Sequence, residues 1–278
     1  MRALVFGGSG QVGAALLPRL RAAGWDVLAV SRTAREDAPG LRWLQGDLTR
    51  GSDDLPAAVD AIISCGPLDR FAQWYAGTPV RAPRVVAFGS TSAVVKQDSA
   101  DAGERDLAQR LAHGERGVFA AAAARGAHAT VLRPTLVYGA GRDQTIARMA
   151  RFASRWRVLP IPAGATGLRQ PVHVDDLAAA TVAVLDAAPA FGRGYDLPGG
   201  ETLPFREMAA RTLAALPGAP RLLELPAPLF STLATLGRWS GRGRGVGDGA
   251  IARLRQDLVF DAGPAARDFG YAPRRFSP

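Results

Sequence analysis

The stretch ALVFGGSGQVGAALL, residues 3–17, decides the fold of this chain. Its first four residues are apolar and predict a strand. The pattern from Gln11 to Ala23 predicts an amphipathic helix ending at Gly24, where a left-handed C-cap is expected. The glycines between strand and helix suit a tight turn, a close approach of the backbone to a ligand, and close packing of the helix on the strand.

This arrangement predicts a phosphate-binding loop. Free amides in the first helical turn, at the positive end of the helix dipole, attract phosphate oxygens. An ordinary glycine turn is the alternative, but a motif placed between a first strand and a helix is typical of a Rossmann unit that binds a dinucleotide. The residues expected to bind the cofactor are Gly7, Ser9, Gly10, Gln11, Val12 and Gly13.

The first half of the chain alternates short apolar runs with longer helical patterns, which predicts βαβ units. A long helix is expected from Glu104 to Arg125, stopped by Gly126. Six strands in this rhythm predict an α/β fold with a doubly wound parallel sheet. We expect these strands at Ala3 to Phe6, Val27 to Ser31, Arg42 to Gln45, Ala61 to Ser64, Val85 to Phe88 and Ala129 to Arg133.

The second half has a looser pattern, which indicates a small C-terminal substrate-capping region with return strands and no second core. We expect one domain, with residues 1–140 mainly the cofactor-binding core and residues 141–278 mainly the cap. Helices are expected at Asp143 to Ser154, Asp175 to Ala187, Phe205 to Leu216 and, twice more, around Arg242 to Gly249, although the Gly/Arg-rich Gly241 to Gly249 also favours a mobile loop. Strands are expected at Gln170 to Val174, Gly194 to Leu197 and Arg221 to Leu225, and a Pro/Gly-rich irregular stretch at Leu159 to Gly167.

Composition excludes several classes of protein. The chain has 278 residues, 47% of them hydrophobic and 21% charged, as in ordinary globular domains. One cysteine, no leader pattern and no apolar run long enough to span a bilayer favour a cytoplasmic location. The net charge of +9 comes almost entirely from arginine, which compositional bias explains as well as a selected basic face. We therefore expect neither nucleic-acid nor membrane partners, and no metal site.

The end of the second strand indicates which cofactor fits. NAD-selective sites carry an Asp or Glu there that accepts from the ribose 2′-hydroxyl and repels a 2′-phosphate. Here the strand ends in Ser31 and Arg32, and a guanidinium is a planar donor for phosphate. We expect NADP, with NAD less favoured; Glu36 and Asp37 lie just beyond.

With these residues in view, the sequence resembles the short-chain dehydrogenase/reductase superfamily, in its extended branch of NAD(P)-dependent epimerases and dehydratases of nucleotide sugars. The resemblance runs from Ala3 to Arg274 and rests on the order of several short motifs. These are the glycine loop, Gly46-Asp47-Leu48, Gly89-Ser90-Thr91-Ser92, Leu132-Arg133-Pro134-Thr135-Leu136-Val137-Tyr138-Gly139, His173-Val174-Asp175-Asp176-Leu177-Ala178 and Asp268-Phe269-Gly270-Tyr271-Ala272-Pro273.

The resemblance implies roles for further residues. Asp47 would accept from the adenine amino group and Leu48 would pack on the adenine ring. Arg169 would bind the diphosphate of a nucleotide sugar, and His173 would be structural. A homodimer through a surface that includes Val118 to Ala124 is also implied. Other residues expected beside the cofactor are Ser64, Cys65, Gly66 and Pro134.

The chain departs from the family where the chemistry is done. The family uses a tyrosine and a lysine four residues apart, whose ammonium lowers the pKa of the phenol, with a Ser or Thr hydroxyl opposite. Thr91 matches that hydroxyl and is the expected catalytic residue. Lys96, however, is the only lysine, the residue four before it is Ser92, and Leu107 and Leu111 stand at the positions of the pair.

The substitute for the missing pair stays open at the level of sequence. His113 lies on the same helix but is expected to point away. Family members carry a tyrosine at the position of Tyr138 for structural reasons. Glu104 begins a helix, where an acid is expected because it interacts favourably with the helix dipole. Two functions follow: an NADP-dependent oxidoreductase or epimerase acting on a nucleotide sugar or related carbonyl compound, or an inactive NADP(H)-binding regulatory or assembly protein.

Overall fold

A computed structural model of the chain describes residues 1–52, 54–226, 228–230, 232 and 253–278. Its central feature is a sheet of seven strands in the order β11-β6-β5-β4-β1-β2-β3, and every neighbouring pair is parallel. These strands are β1 (Arg2–Phe6), β2 (Asp26–Ser31), β3 (Leu41–Gln45), β4 (Ala61–Ser64), β5 (Arg84–Phe88), β6 (His128–Pro134) and β11 (Arg193–Leu197).

The strand order reverses beside β1. From β1 the chain goes to β2 and then β3 on one side, and returns to β4, β5 and β6 on the other. Phe6 at the carboxyl end of β1 stands level with Val30 of β2 and with Ser64 of β4. In open α/β sheets the ligand crevice lies outside the carboxyl ends of the strands at such a switch point.

Helices cover both faces of the sheet because side chains of a buried strand alternate between the faces. Ala3 and Val5 of β1 belong to one apolar cluster, with helices α1 (Gln11–Ala22) and α6 (Val174–Leu185). Leu4 and Phe6 belong to the other, with α2 (Leu68–Gly77) and α4 (Ala102–Ala124). In the part of the chain that the structure describes, no helix is long and apolar enough to cross a membrane.

The second half of the chain adds short strand pairs and further helices beyond the sheet. Strand β7 (Val137–Tyr138) pairs with β10 (Val172–His173), β8 (Val158–Pro162) with β13 (Arg221–Leu225), and β9 (Leu168–Arg169) with β12 (Leu203–Pro204). The helices of this half, besides α6, are α5 (Ile146–Trp156), α7 (Phe205–Ala214) and α8 (Gly263–Phe269), with a 3-10 turn at Ala188–Ala190. A short helix in the first half, α3 (Ser92–Val95), precedes α4.

The α/β fold and the doubly wound parallel sheet are confirmed, and the six expected strands lie within one residue of their predicted bounds. Two local expectations are wrong. The stretch Leu159 to Gly167 begins with strand residues, because the prolines of β8 are tolerated in a strand that pairs with a single partner, β13. The strand expected at Gln170 to Val174 shortens to β10, because His173 caps α6 by accepting the Asp175 amide at 3.2 Å.

The cap has an apolar cluster of its own, besides the two that flank the sheet. Amphipathic helices α5 and α7 pack together beside β8 and bury Met149 and Met208. The single-domain organisation stays a prediction. The two helices and the loop expected within 241–249 lie outside the described residues.

Candidate functional site

The loop between β1 and α1 is as tight as the glycines predict. Gly7 has φ +75°, and its carbonyl oxygen accepts from the Gly10 amide at 2.9 Å. A Cβ on Gly13 would lie 2.2 Å from the Gly7 oxygen, and one on Gly7 would lie 2.9 Å from the carbonyl carbon of Cys65. Both contacts are closer than a side chain allows, so this turn requires glycine at both positions.

The N-terminus of α1 can hold a phosphate group. Gly10 is its extended N-cap, and among the described residues no side chain caps this terminus. The first turn, which includes Gln11 and Val12, contains no acid. Its amides lack acceptors inside the helix and lie at the positive end of the dipole, and no carboxylate of the first turn would compete with an anion for them.

The end of β2 carries arginines rather than an acid. The Ser31 hydroxyl accepts from the Thr33 amide and from Arg35 Nε, both at 3.3 Å. The Arg35 guanidinium lies 5.2 Å from the centroid of the Trp43 ring, a cation–π contact. Arg32 is exposed, so its donors can reach a ligand. The preference for a 2′-phosphate stays a prediction.

Asp47 and Leu48 follow the carboxyl end of β3. Asp47 Oδ1 accepts from the amides of Thr49 at 2.7 Å and Arg50 at 2.8 Å. The Arg50 and Thr49 amides lower the pKa of the Asp47 carboxyl, and the charges of Arg50 and Arg32 act in the same direction. The carboxylate is therefore ionised near neutral pH, and Oδ2 has no partner among the residues that the structure describes.

The residues at the end of β4 lie directly against the glycine loop. A Cβ on Gly66 would lie 3.0 Å from Leu48 Cδ1, and the Gly66 amide donates to Ser64 Oγ at 3.3 Å. Cys65 packs against the core, and desolvation by burial raises the pKa of its thiol to about 12. The structure thus brings Ser64, Cys65 and Gly66 together with Leu48 and the glycine loop, and their contact with a cofactor stays a prediction.

Thr91 lies where β5 gives way to α3, and it is 7% exposed. Its hydroxyl donates to the Pro134 carbonyl at 3.3 Å, and its backbone amide donates to the same oxygen at 3.3 Å. Pro134 ends the neighbouring strand β6. These two bonds fix Thr91 at the carboxyl ends of β5 and β6.

Thr91 lines a cavity of about 170 Å³ that sequence reasoning did not delineate. Lys96, which the spacing argument set aside, lines the same cavity. Sequence spacing could not show this, because the C-terminal residues that complete the wall are distant in the chain. The other lining residues are Ser90, Ser92, Val95, Thr135, Leu136, Arg169, Gln170, Arg253, Leu258 and Phe260.

Arg169 is 6% exposed and has no carboxylate partner among the described residues. Its Nη1 donates to the carbonyls of Leu168 and Gln256, both at 2.7 Å, and its Nη2 to that of Arg253 at 2.5 Å. Burial and the charge of Arg253 lower the pKa of Arg169 to about 10, so it stays a cation near neutral pH. The charge of Asp257 acts in the opposite direction, but no carboxylate among the described residues lies within 4.0 Å of the guanidinium, so the cation can still attract an anionic group in the cavity.

Glu104 joins the two other cations of the cavity wall. Arg253 donates to both of its carboxylate oxygens, Ser99 Oγ donates at 2.7 Å, and Lys96 Nζ lies 3.4 Å away. Burial alone would raise the pKa of the Glu104 carboxyl, but the bonds from Arg253 and Ser99 outweigh it and lower that pKa to about 2. Three cations and one carboxylate leave the wall positive.

The other candidate acids and bases lie elsewhere. His113 is exposed, as expected for a side chain that points away. The Tyr138 hydroxyl accepts from the Ser277 amide at 3.2 Å, its ring packs edge-on against His173, and burial raises its pKa. Leu107 and Leu111 are half-buried on α4. The polar residues that line the cavity are Thr91, Lys96, serines, Thr135, Gln170 and arginines. Of these, Thr91 and Lys96 are the candidates for proton transfer.

Comparisons with known proteins identify the relatives of this chain. A family model described as "NAD dependent epimerase/dehydratase family" matches residues 3–82 and 81–196. A 2-alkyl-3-oxoalkanoate reductase of Stenotrophomonas maltophilia is 28% identical over 99% of this chain and 95% of its own length. A mitochondrial NADH dehydrogenase [ubiquinone] 1 alpha subcomplex subunit 9 of Arabidopsis thaliana is 33% identical over 38% of this chain and 26% of its own length.

Solved structures share the fold at low identity. An epimerase from Methanothermobacter thermautotrophicus superposes with a TM-score of 0.72 at 16% identity, covering 98% of this chain and 87% of that one. MoeE5, solved with UDP-glucuronic acid and NAD, gives 0.72 at 21% identity, with 99% and 95% covered. At these identities the likeness concerns the fold.

Proposed function

Because this chain belongs to the NAD dependent epimerase/dehydratase family, we propose that it is an NADP-dependent oxidoreductase that acts on a carbonyl compound with an atypical proton donor. The observation that carries the proposal is the cavity that Thr91 and Lys96 share, with Thr91 at the carboxyl ends of β5 and β6 in the sheet whose first strand leads into the glycine loop. In this proposal the glycine loop binds the dinucleotide, and the cavity holds the carbonyl group of the substrate and its proton donor.

The residues present fit a nicotinamide dinucleotide. At Gly7 and Gly13 a Cβ would clash with the backbone of Cys65 and of the loop itself, so glycine at these positions permits the tight turn that leads into the α1 amides. The α1 amides would bind that pyrophosphate, and Asp47 with Leu48 would hold the adenine. Arg32, with Arg35 next to it, supports NADP over NAD. When bound, the reduced cofactor supplies a hydride to the carbonyl carbon of the substrate.

Lys96 is the proton donor in this proposal. Its ammonium passes a proton to the carbonyl oxygen as the hydride arrives, which leaves an alcohol and a neutral amine that takes a proton from solvent. The Thr91 hydroxyl, which donates to the Pro134 carbonyl at 3.3 Å in this structure, would turn its proton to the substrate oxygen and position that oxygen. Glu104 holds the ammonium at the cavity wall, 3.4 Å away. This step requires no tyrosine, and the residue four positions before Lys96 is indeed Ser92 rather than a tyrosine.

The cavity also indicates the class of substrate. A volume of about 170 Å³ is below the ~300 Å³ of pockets that enclose a whole small-molecule ligand. It suits a small carbonyl compound, or the reacting end of a larger one such as a nucleotide sugar. The positive wall favours an anionic substrate, and the name of the Stenotrophomonas maltophilia relative points to 3-oxo acids. Arg169 is the residue we expect to face the anionic group.

The experiment is an NADPH oxidation assay with two groups of substrates, 2-alkyl-3-oxo acids and nucleotide 4-keto sugars. Loss of nicotinamide absorbance with either group supports the proposal and identifies the substrate class. If neither group is reduced while NADPH binds saturably, the enzymatic proposal fails. The companion proposals of a cytoplasmic location and a homodimer are tested by cell fractionation and by sedimentation.

The second candidate is an inactive NADP(H)-binding regulatory or assembly protein. The match to the Arabidopsis thaliana subunit of a respiratory complex favours it, although it covers only 38% of this chain. Saturable NADPH binding without turnover, together with a partner that copurifies with the tagged chain, would support this candidate. Turnover of any ketone would remove it.

A further inference from the structure

The segment that follows β7 is anchored at several points. A Cβ on Gly139 would lie 2.3 Å from His173 Nε2, so the backbone packs directly on that ring. The Gly141 carbonyl accepts from Arg151 at 3.1 Å. Asp143 is 7% exposed, and its carboxylate accepts from the amides of Thr145 and Ala147, both at 3.0 Å. The backbone on both sides of Arg142 is therefore fixed.

From this segment Arg142 reaches the glycine loop. Its Nη1 donates to the Ser9 carbonyl at 3.1 Å, although the two residues are 133 positions apart in the sequence. Ser9 directly precedes Gly10, the N-cap of α1. The guanidinium is thus placed beside the amides that are expected to receive the pyrophosphate.

The charge of Arg142 is not neutralised within the protein. No carboxylate among the described residues lies within 4.0 Å of its guanidinium, whereas Arg253 and Arg274 form ion pairs. One of its five N–H groups is used by Ser9, and the residue is exposed. A guanidinium with free donors next to a phosphate-binding helix N-terminus is suited to bind the same anion bidentately.

We propose that Arg142 is a direct ligand of the cofactor's pyrophosphate, contributed by the cap region rather than by the sheet. This inference rests on the proposed function, because it requires a dinucleotide at the glycine loop. The α1 amides contact the pyrophosphate from the helix side, and Arg142 contacts it from the side of β7. The Ser9 carbonyl orients the guanidinium before the cofactor arrives.

The test separates contacts to the pyrophosphate from contacts to the 2′-phosphate. Calorimetric titrations use three ligands: NADPH, ADP-ribose, which has the pyrophosphate but no 2′-phosphate, and adenosine 2′-monophosphate, which has only the latter. Arg142→Gln should weaken binding of NADPH and ADP-ribose by about tenfold, as expected for one charged hydrogen-bonding group. It should leave adenosine 2′-monophosphate unchanged. Arg142→Lys, which keeps the charge but not the fork, should lie between.

The control is Arg2→Gln. It removes the same charge from an exposed arginine at the amino end of β1, at the opposite edge of the sheet, where Arg2 pairs with Asp26 at 2.9 Å. Unchanged affinity of Arg142→Gln for NADPH and ADP-ribose, or an equal loss for all three ligands, overturns the inference about Arg142 and leaves the proposed function standing. If the wild-type protein binds neither NADPH nor ADP-ribose, the proposed function fails together with it.

Discussion

Glu104 and Arg253 form a two-point ion pair across 149 positions of the sequence. Glu104 lies in the first turn of α4, whose N-cap is Asp101. Arg253 lies in the C-terminal segment that completes the cavity wall. The pair therefore fixes the position of the wall relative to the sheet, and it leaves Lys96 bound to the same carboxylate.

This pair should make stability depend on pH. The folded-state pKa of Glu104 is lowered from 4.5 to about 2. Its contribution is therefore fully present above the unfolded value of 4.5 and is lost as the pH falls towards about 2. Glu104→Gln should cost ~2 kcal/mol near neutral pH, the scale of a charged hydrogen bond. Urea unfolding across that acid range should show the difference between wild type and variant shrinking; a constant difference would contradict the assignment.

Lys96 should be required for turnover but not for cofactor binding. Lys96→Met removes the proton donor, so kcat should fall by at least about 100-fold with NADPH affinity unchanged. Lys96→Arg keeps the positive charge beside Glu104 but does not release a proton near neutral pH, so it should be nearly as slow. The measurements are steady-state kinetics on the ketone found active and NADPH titration. Full activity of Lys96→Arg would assign the residue to binding instead.

Arg32 should set the choice between NADP and NAD. Arg32→Gln removes the guanidinium from the end of β2, and NADPH affinity should fall by about tenfold or more, while NADH affinity stays the same. Arg42→Gln is the matched control, because Arg42 is exposed on β3 and stands level with Leu28 in the middle of β2. Equal selectivity in the two variants would show that Arg32 does not contact the 2′-phosphate.

Cys65 should be unreactive in the folded protein. Burial raises the pKa of the thiol to about 12, so the thiolate that reacts with alkylating agents is scarce at mildly alkaline pH. Iodoacetamide labelling followed by mass spectrometry should detect modification only after denaturation. Rapid labelling of the native chain would mean that the end of β4 is open to solvent.

The central sheet was predictable because its strands are short, buried apolar runs between glycines and helical patterns. The bounds of β1 through β6 follow from this pattern within one residue. Strand β8 could not be predicted from the sequence, because Pro160 and Pro162 are typical of loops. Only the pairing with β13 shows that this segment is a strand.

The candidate site also has a part that could be predicted from the sequence and a part that could not. The glycine loop is local, so residues 7–13 could be identified from spacing alone, whereas their role as ligands stays a prediction. The cavity wall is not local. Arg253 meets Glu104, and Arg142 meets Ser9, only through the fold. No spacing rule relates residues that are more than 100 positions apart, so these contacts could not be predicted from one sequence.

The account depends most on the glycine loop accepting a dinucleotide. Gly13→Ala is the decisive variant, because its Cβ would lie 2.2 Å from the Gly7 carbonyl oxygen and would force the backbone of the turn out of its present conformation. Gly77→Ala is its control, since a Cβ there meets nothing within 4 Å. Calorimetric titration with NADPH should show saturable binding by wild type and by Gly77→Ala, and none by a folded Gly13→Ala. Absence of heat from wild type with NADPH and NADH, or equal affinity in Gly13→Ala, would contradict the account.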